Sequence, residues 1–192
     1  NVFTFHRHPL IGKGYSPFTP EDLLAIQEHC RRHHIRFVGS LASFGHMERI
    51  LMLPPYRRLG EMPGFRGHPG GTTLCPALPG SIRLVGELYE EFVPLFESAD
   101  FNVCCDETWE LGKGRSKRRA ARRGVGPIYL EFLLKIHRLC ERHGKRMNLW
   151  ADIVMDHPEL LKRFPKDVVM LNWDYNDAGW RIRRSGEIAA AG

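Results

Sequence analysis

Apolar positions fall at two spacings along this chain, and the switches between them mark its elements. Thr19-Pro20-Glu21-Asp22 carries a helix start: a Thr cap, Pro in the first turn, then acids. Leu23, Leu24, Ile26 and Cys30 follow as an apolar stripe, which predicts a helix running to about residue 33. A compact apolar run at 35–41 predicts a strand that leads into Ser43-Phe44-Gly45-His46. Residues 54–79 are rich in Pro and Gly and predict a long excursion, with a second helix over about 81–96. Residues 101–105 predict a strand ending in Asp106-Glu107-Thr108-Trp109. Ile128, Phe132, Leu133, Ile136 and Leu139 then predict a third helix over about 127–143, stopped before Gly144. Strands at 147–150 and 168–173 flank a helix near 157–164, and the opening Val2-Phe3-Thr4-Phe5 also has the pattern of a strand.

Strands and helices in alternation, with strands apolar on both faces, predict a parallel sheet wound by crossover helices. The expected fold class is α/β: a partial (β/α)8 TIM barrel of about four to five βα units, forming one domain over residues 1–192. A complete barrel needs eight strands and at least roughly 200 residues. The chain opens on Asn1 inside a strand pattern and trails off through Ala189-Ala190-Ala191-Gly192 without a helix stop, so both ends read as cut. Polar and aromatic residues cluster just after each strand, and in a barrel those positions share the active face. His46, Asp106, Glu107, Trp150, Asp152 and Trp173 are therefore expected around one pocket.

Composition narrows the function classes. No stretch approaches the roughly 18 uncharged apolar residues of a membrane helix, and the start lacks a signal-peptide pattern. Five cysteines without a CxxC pair suggest reduced, mostly buried thiols, which leans towards a cytoplasmic setting. Much of the net charge of +6 sits in residues 113–123. That run reads as a solvated loop or helix face, since no nucleic-acid reader motif accompanies it.

Asp106-Glu107 follows a strongly apolar strand, so the pair belongs at the sheet's carboxyl edge. Side chains alternate along a strand, and both acids can point inward only where the pleat breaks. The sequence from Asp106 to Gly114 resembles glycoside hydrolase family 20, in particular its bacterial hexosaminidase-like members. The resemblance extends in order through Gly14-Tyr15-Ser16-Pro17, Ser43-Phe44-Gly45-His46-Met47-Glu48-Arg49, Thr73-Leu74-Cys75-Pro76, Trp150-Ala151-Asp152-Ile153 and Leu171-Asn172-Trp173-Asp174-Tyr175.

The resemblance implies a retaining β-N-acetylhexosaminidase, in which the sugar's own 2-acetamido oxygen attacks the anomeric carbon, an exception to the two-carboxylate scheme. It assigns Glu107 as general acid and base, and Asp106 as the group that holds the acetamido N–H. Neighbours in sequence, the two must then differ in protonation. Trp150 and Trp173 match the family's pocket tryptophans, His46 matches the histidine after its third barrel strand, and Trp109, Asp152 and Asp174 are further candidates for sugar contact. No metal or cofactor is implied. The implied partner is an N-acetylhexosamine-bearing oligosaccharide or glycoconjugate.

The chain departs from the family at Asn102-Val103-Cys104-Cys105, where Cys104 replaces a usual glycine and is expected to crowd the pocket floor. The opening lacks the Glu-His often found before Thr-Phe, and the family's sugar-binding arginine, late tyrosine and last tryptophan fall outside the chain, leaving activity of this piece alone in doubt. Two rivals follow. His6-Arg7-His8 resembles the His-x-His of zinc barrels, a metal-dependent hydrolase that would draft His46 and Asp106. A non-catalytic carbohydrate-binding relative is the other.

Overall fold

The computed structural model describes residues 3–173, 175 and 178–191. Four strands, β1 (Gly39–Ser40), β2 (Asp100–Asn102), β3 (Arg146–Trp150) and β4 (Val169–Leu171), form one sheet in sequence order. All pairs are parallel, with Gly39 opposite Phe101, Phe101 opposite Met147, and Asn148 opposite Val169. This α/β sheet is the arrangement that the alternating sequence pattern predicts.

The helices lie between and after the strands. They are α1 (Pro20–Arg32), α2 (Glu48–Leu51), α3 (Pro79–Phe92), α4 (Lys117–Arg123), α5 (Val125–Arg142), α6 (Asp152–Met155) and α7 (Ala178–Ala191). Thr19 caps α1 through its hydroxyl, which accepts from the Asp22 amide, while the Asp22 carboxylate accepts from the Thr19 amide. The longest helix, α5, buries Ile128, Tyr129, Phe132, Leu133 and Ile136. Each such side chain contributes about 1.5–3 kcal/mol through burial. Together with Leu88 and Tyr89 of α3 and Phe101 and Leu149 of the sheet they form one continuous core.

Several elements are shorter than the pattern suggests. The 35–41 run pairs regularly only at Gly39–Ser40, because its first residues close off α1: the Ile35 amide donates to the Cys30 carbonyl and Ile35 stays exposed. Gly39 is required by packing, since a Cβ there would lie 2.7 Å from the Phe96 ring. The second helix ends at Phe92 and passes into a 3-10 turn over Val93–Leu95 around Pro94, and the 157–164 segment is a 3-10 helix, Pro158–Arg163. The opening segment forms an isolated bridge between Phe3 and Phe18 rather than a sheet strand; Val2 lies outside the described residues. The basic run becomes α4, where Arg119 and Arg123 pair with Glu131 of α5. Helix α7 has no counterpart among the expected elements.

Candidate active site

The strand β2 stops at Asn102, and the chain then turns sharply. Cys104, Cys105 and Glu107 all hold left-handed backbone angles, with φ of 59°, 67° and 48°. For residues with side chains such conformations cost about 1–3 kcal/mol each and persist only where the surroundings impose them. Here the impositions are visible. The Asn102 side-chain oxygen accepts from the Cys104 amide at 2.9 Å, the Cys104 carbonyl accepts from the Trp150 amide at 3.0 Å, and the Cys105 carbonyl accepts from the buried Tyr129 hydroxyl at 2.9 Å. Asp152 completes the set, its Oδ2 accepting from the Glu107 amide at 2.9 Å.

This broken pleat lets consecutive acids share one cavity. Asp106 and Glu107 line a hollow of about 320 Å³ with His46, Trp150, Trp173 and Tyr175. His46 Nε2 lies 3.3 Å from Asp106 Oδ2 and 3.3 Å from Glu107 Oε2. His46 itself holds a left-handed φ of 55°, directly after Gly45. Only glycine fits at 45, because a Cβ there would lie 2.0 Å from the Asp106 carbonyl oxygen. The histidine-bearing loop and the acid-bearing loop are thus in backbone contact.

Burial raises the carboxyl of Asp106 above the ordinary range, opposed chiefly by the adjacent His46. Asp106 Oδ1 is sealed from solvent and has no hydrogen-bond partner among the described residues; the same holds for Trp173 Nε1 and Asp152 Oδ1. Burial pushes Asp152 further, up to about 6. Cys104 keeps its thiol off the cavity lining, 3.3 Å from the Ser40 hydroxyl of β1.

Five residues expected in one pocket are therefore found in it. Asp152 is not in its wall: it supports Glu107 from behind. Trp109 flanks a second hollow of about 150 Å³, lined also by Glu48, Arg66, His68 and Thr72, and its indole nitrogen donates to Glu107 Oε2 at 3.3 Å. Asp174 lies outside the described residues. Tyr175 is a lining residue without an expected role, although an aromatic two positions after Trp173 is a usable signal in the sequence; the two rings lie 5.4 Å apart. The irregular excursion supplies Arg66, His68 and Thr72 to the second hollow, positions that no sequence pattern marks.

The zinc-barrel alternative needs His6, His8, His46 and Asp106 to converge. His8 instead contacts Tyr56 and Glu87, the His6 amide bonds Glu91, and among the described residues no group of three candidate ligands could hold a metal ion.

Residues 5–188 match the model of the glycosyl hydrolase family 20 catalytic domain. The chain belongs to that family. Hexosaminidase D of Homo sapiens is 25% identical over 167 residues, covering 82% of this chain and 33% of that protein. The Bos taurus hexosaminidase D is 23% identical over 184 residues, covering 91% and 52%. The chain thus spans a third to a half of these curated relatives. Among solved structures, a Flavobacterium johnsoniae chitobiase aligns with a TM-score of 0.78 at 20% identity, over 96% of this chain and 30% of that one. A Vibrio harveyi exo-β-N-acetylglucosaminidase in complex with N-acetylglucosamine aligns at 0.64 and 19% identity, over 88% and 27%. These likenesses establish a shared α/β fold with a parallel sheet.

Proposed function

We propose that this chain forms part of a (β/α)8 catalytic barrel that removes terminal N-acetyl-β-hexosamine residues from oligosaccharides or glycoconjugates with retention of configuration. The observation that carries the reading is Asp106, whose Oδ1 is buried without a partner at the wall of the cavity that Glu107 and two tryptophans also line. A buried carboxylate oxygen without a donor is costly, and a substrate amide N–H is the donor that would satisfy it.

In the proposed reaction Glu107 gives its proton to the glycosidic oxygen as the C1–oxygen bond breaks. The acetamido carbonyl oxygen attacks C1 from the opposite face, forming an oxazolinium ring whose positive charge Asp106 offsets. Water then attacks C1, its proton passes to Glu107, and the ring reopens; two inversions give net retention. Trp150 and Trp173 pack on the sugar ring and the acetamido methyl. His46 bridges the two carboxylates and Asp152 fixes the Glu107 backbone. Trp109 holds the Glu107 side chain from the other side.

A sugar-binding relative without turnover is the second reading, favoured by Cys104 in place of glycine. Against it, Cys104 takes up the left-handed turn and both acids remain at the cavity. The deciding experiment is hydrolysis of nitrophenyl N-acetyl-β-glucosaminide by the full-length protein, beside the glucoside lacking the acetamido group. Turnover of the first alone, reduced about 10²–10⁴-fold in Glu107→Gln, is expected. A folded protein that binds N-acetylglucosamine and cleaves neither would overturn the proposal.

A further inference from the structure

The two hollows share His46 and Glu107, so Glu107 stands on the ridge between them. On the function proposed above, on which this inference rests, Glu107 must reach the oxygen that joins the sugar to its leaving group. With the sugar in the hollow of Trp150 and Trp173, the leaving group falls in the hollow of Trp109 and Arg66.

Arg66 is the one arginine there. It holds a left-handed backbone, φ 51° and ψ 31°, inside a tight turn whose Gly64 and Gly67 have φ of 87° and 80°. The turn is closed by the Gly64 amide donating to the His68 carbonyl and the His68 amide donating to Phe65. Such a conformation on a non-glycine residue is a feature of ligand clamps. The guanidinium lies 5.4 Å from the centre of the Trp109 ring and 5.3 Å from that of Phe65, so two aromatics orient it. Its side chain is exposed, and among the described residues no carboxylate lies within ion-pairing distance of it. Glu48 and Thr72 complete the wall, and Glu48 Oε2 is solvent-shielded with no partner.

We infer that this hollow is a leaving-group subsite for an acidic sugar, in which Arg66 takes a carboxylate or sulfate while Glu48 and Thr72 take hydroxyls. Arginine presents a planar fork that matches such oxyanions two bonds at a time. Glu48 accepts from the same residue's hydroxyl groups, which a pyranose carries beside its acid.

The test uses the full-length protein and three disaccharides with one linkage, N-acetyl-β-glucosamine on glucose, on glucuronic acid and on glucose 6-sulfate, with the nitrophenyl N-acetylglucosaminide as reference. The expected result is a kcat/KM about five- to tenfold higher for at least one acidic disaccharide than for the glucose one, of the order of a partly exposed charged hydrogen bond. Preference for the glucuronide alone identifies a carboxylate; preference for both identifies any oxyanion. In Arg66→Asn, chosen because Asn tolerates a left-handed backbone, the ratio should fall to within about twofold of unity, and Arg66→Lys should keep part of it. Raising salt from about 50 to 500 mM should erode the ratio in the unaltered protein, a readout that needs no variant. Cleavage of the aryl substrate with no preference among the disaccharides, or with none of them cleaved, overturns the subsite and leaves the catalytic reading standing. A preference undiminished in Arg66→Asn also overturns it. Failure on the aryl substrate overturns both.

Discussion

Asp152 contributes to the site through a backbone bond, and its titration gives that role a measurable sign. Burial raises its carboxyl to about 6, against the Glu107 amide, which favours the charged form. An unfolded aspartate titrates near 3.9. Between those values the folded chain keeps a proton that the unfolded chain has lost, so stability from this group is full below about pH 4 and declines as pH rises towards 6. Asn at this position still offers an oxygen to the Glu107 amide but cannot ionise. The stability of Asp152→Asn relative to the parent should therefore increase as pH rises from 4 to 7, as read by melting temperature of both proteins across that range. A constant or shrinking difference would refute the assigned direction. At this scale the acids, His46, Trp150 and Trp173 were legible in the sequence, because each follows a strand's last apolar position. Arg66, Glu48 and Thr72 were not. Arg66 and Thr72 are brought to Glu107 by turns without periodicity, and Glu48 by α2, a helix of four residues too short to show a period, so no spacing along the chain marks them.

Elements position the site through two buried carboxylates. Glu110, fully buried, accepts from the Thr72 amide, the Thr72 hydroxyl and the Thr73 amide, which ties the excursion to the segment carrying Asp106 and Glu107. Glu61 ties the same excursion to the start of α4, accepting from the Ser116 amide and hydroxyl. Gly71 must be glycine beside this knot, since a Cβ there would lie 2.4 Å from Glu110 Oε1 and its φ is 79°. Glu110→Ala leaves the buried Thr73 amide and the half-buried Thr72 amide and hydroxyl without their acceptor and should cost about 1–3 kcal/mol by urea unfolding, with Glu110→Gln costing less. A loss under about 0.5 kcal/mol, the range of an ordinary surface substitution, would show that the knot does not hold the excursion. The helices α3 and α5 were legible because each buries a periodic face, and α1 because Thr19-Pro20-Glu21-Asp22 starts it; of its expected stripe Leu23 is buried, Ile26 and Cys30 are half-buried and Leu24 is exposed. Helix α7 was not, since Gly179 and Gly186 interrupt it; it is tied by Ile188 packing on the core, by Arg184 to Asp156 and by Asn172 to Ser185. Strand ends were misjudged where apolar residues stand outside the ladder: the Ile35 amide closes α1 while its side chain stays exposed, and Phe37 packs on Phe96.

Across the whole molecule one apolar core joins the sheet to α3 and α5; Cys105 and Cys140 belong to it, and the other three cysteines lie outside it. None is paired; Cys75, Cys105 and Cys140 are buried, and Cys30 and Cys104 half-buried. Burial pushes the Cys75 and Cys140 thiols up to about 12 and raises Cys105 strongly, so neither access nor thiolate character favours reaction while the chain is folded. Cys104, whose thiol is also raised by burial, stands between these and Cys30 on α1. Reaction with an aromatic disulfide reagent at pH 8 should accordingly resolve into phases: Cys30 first, Cys104 more slowly, and the three buried thiols only at the rate at which the core opens. Denaturant should merge all five into one fast phase. Because the buried thiols span the acid-bearing turn, the loop before α3 and the buried face of α5, their common slow rate would report that these segments open together. Fast modification of Cys140 alone in native protein would instead mean that α5 detaches from the sheet independently, and that the Tyr129 bond to the Cys105 carbonyl is made and broken with it.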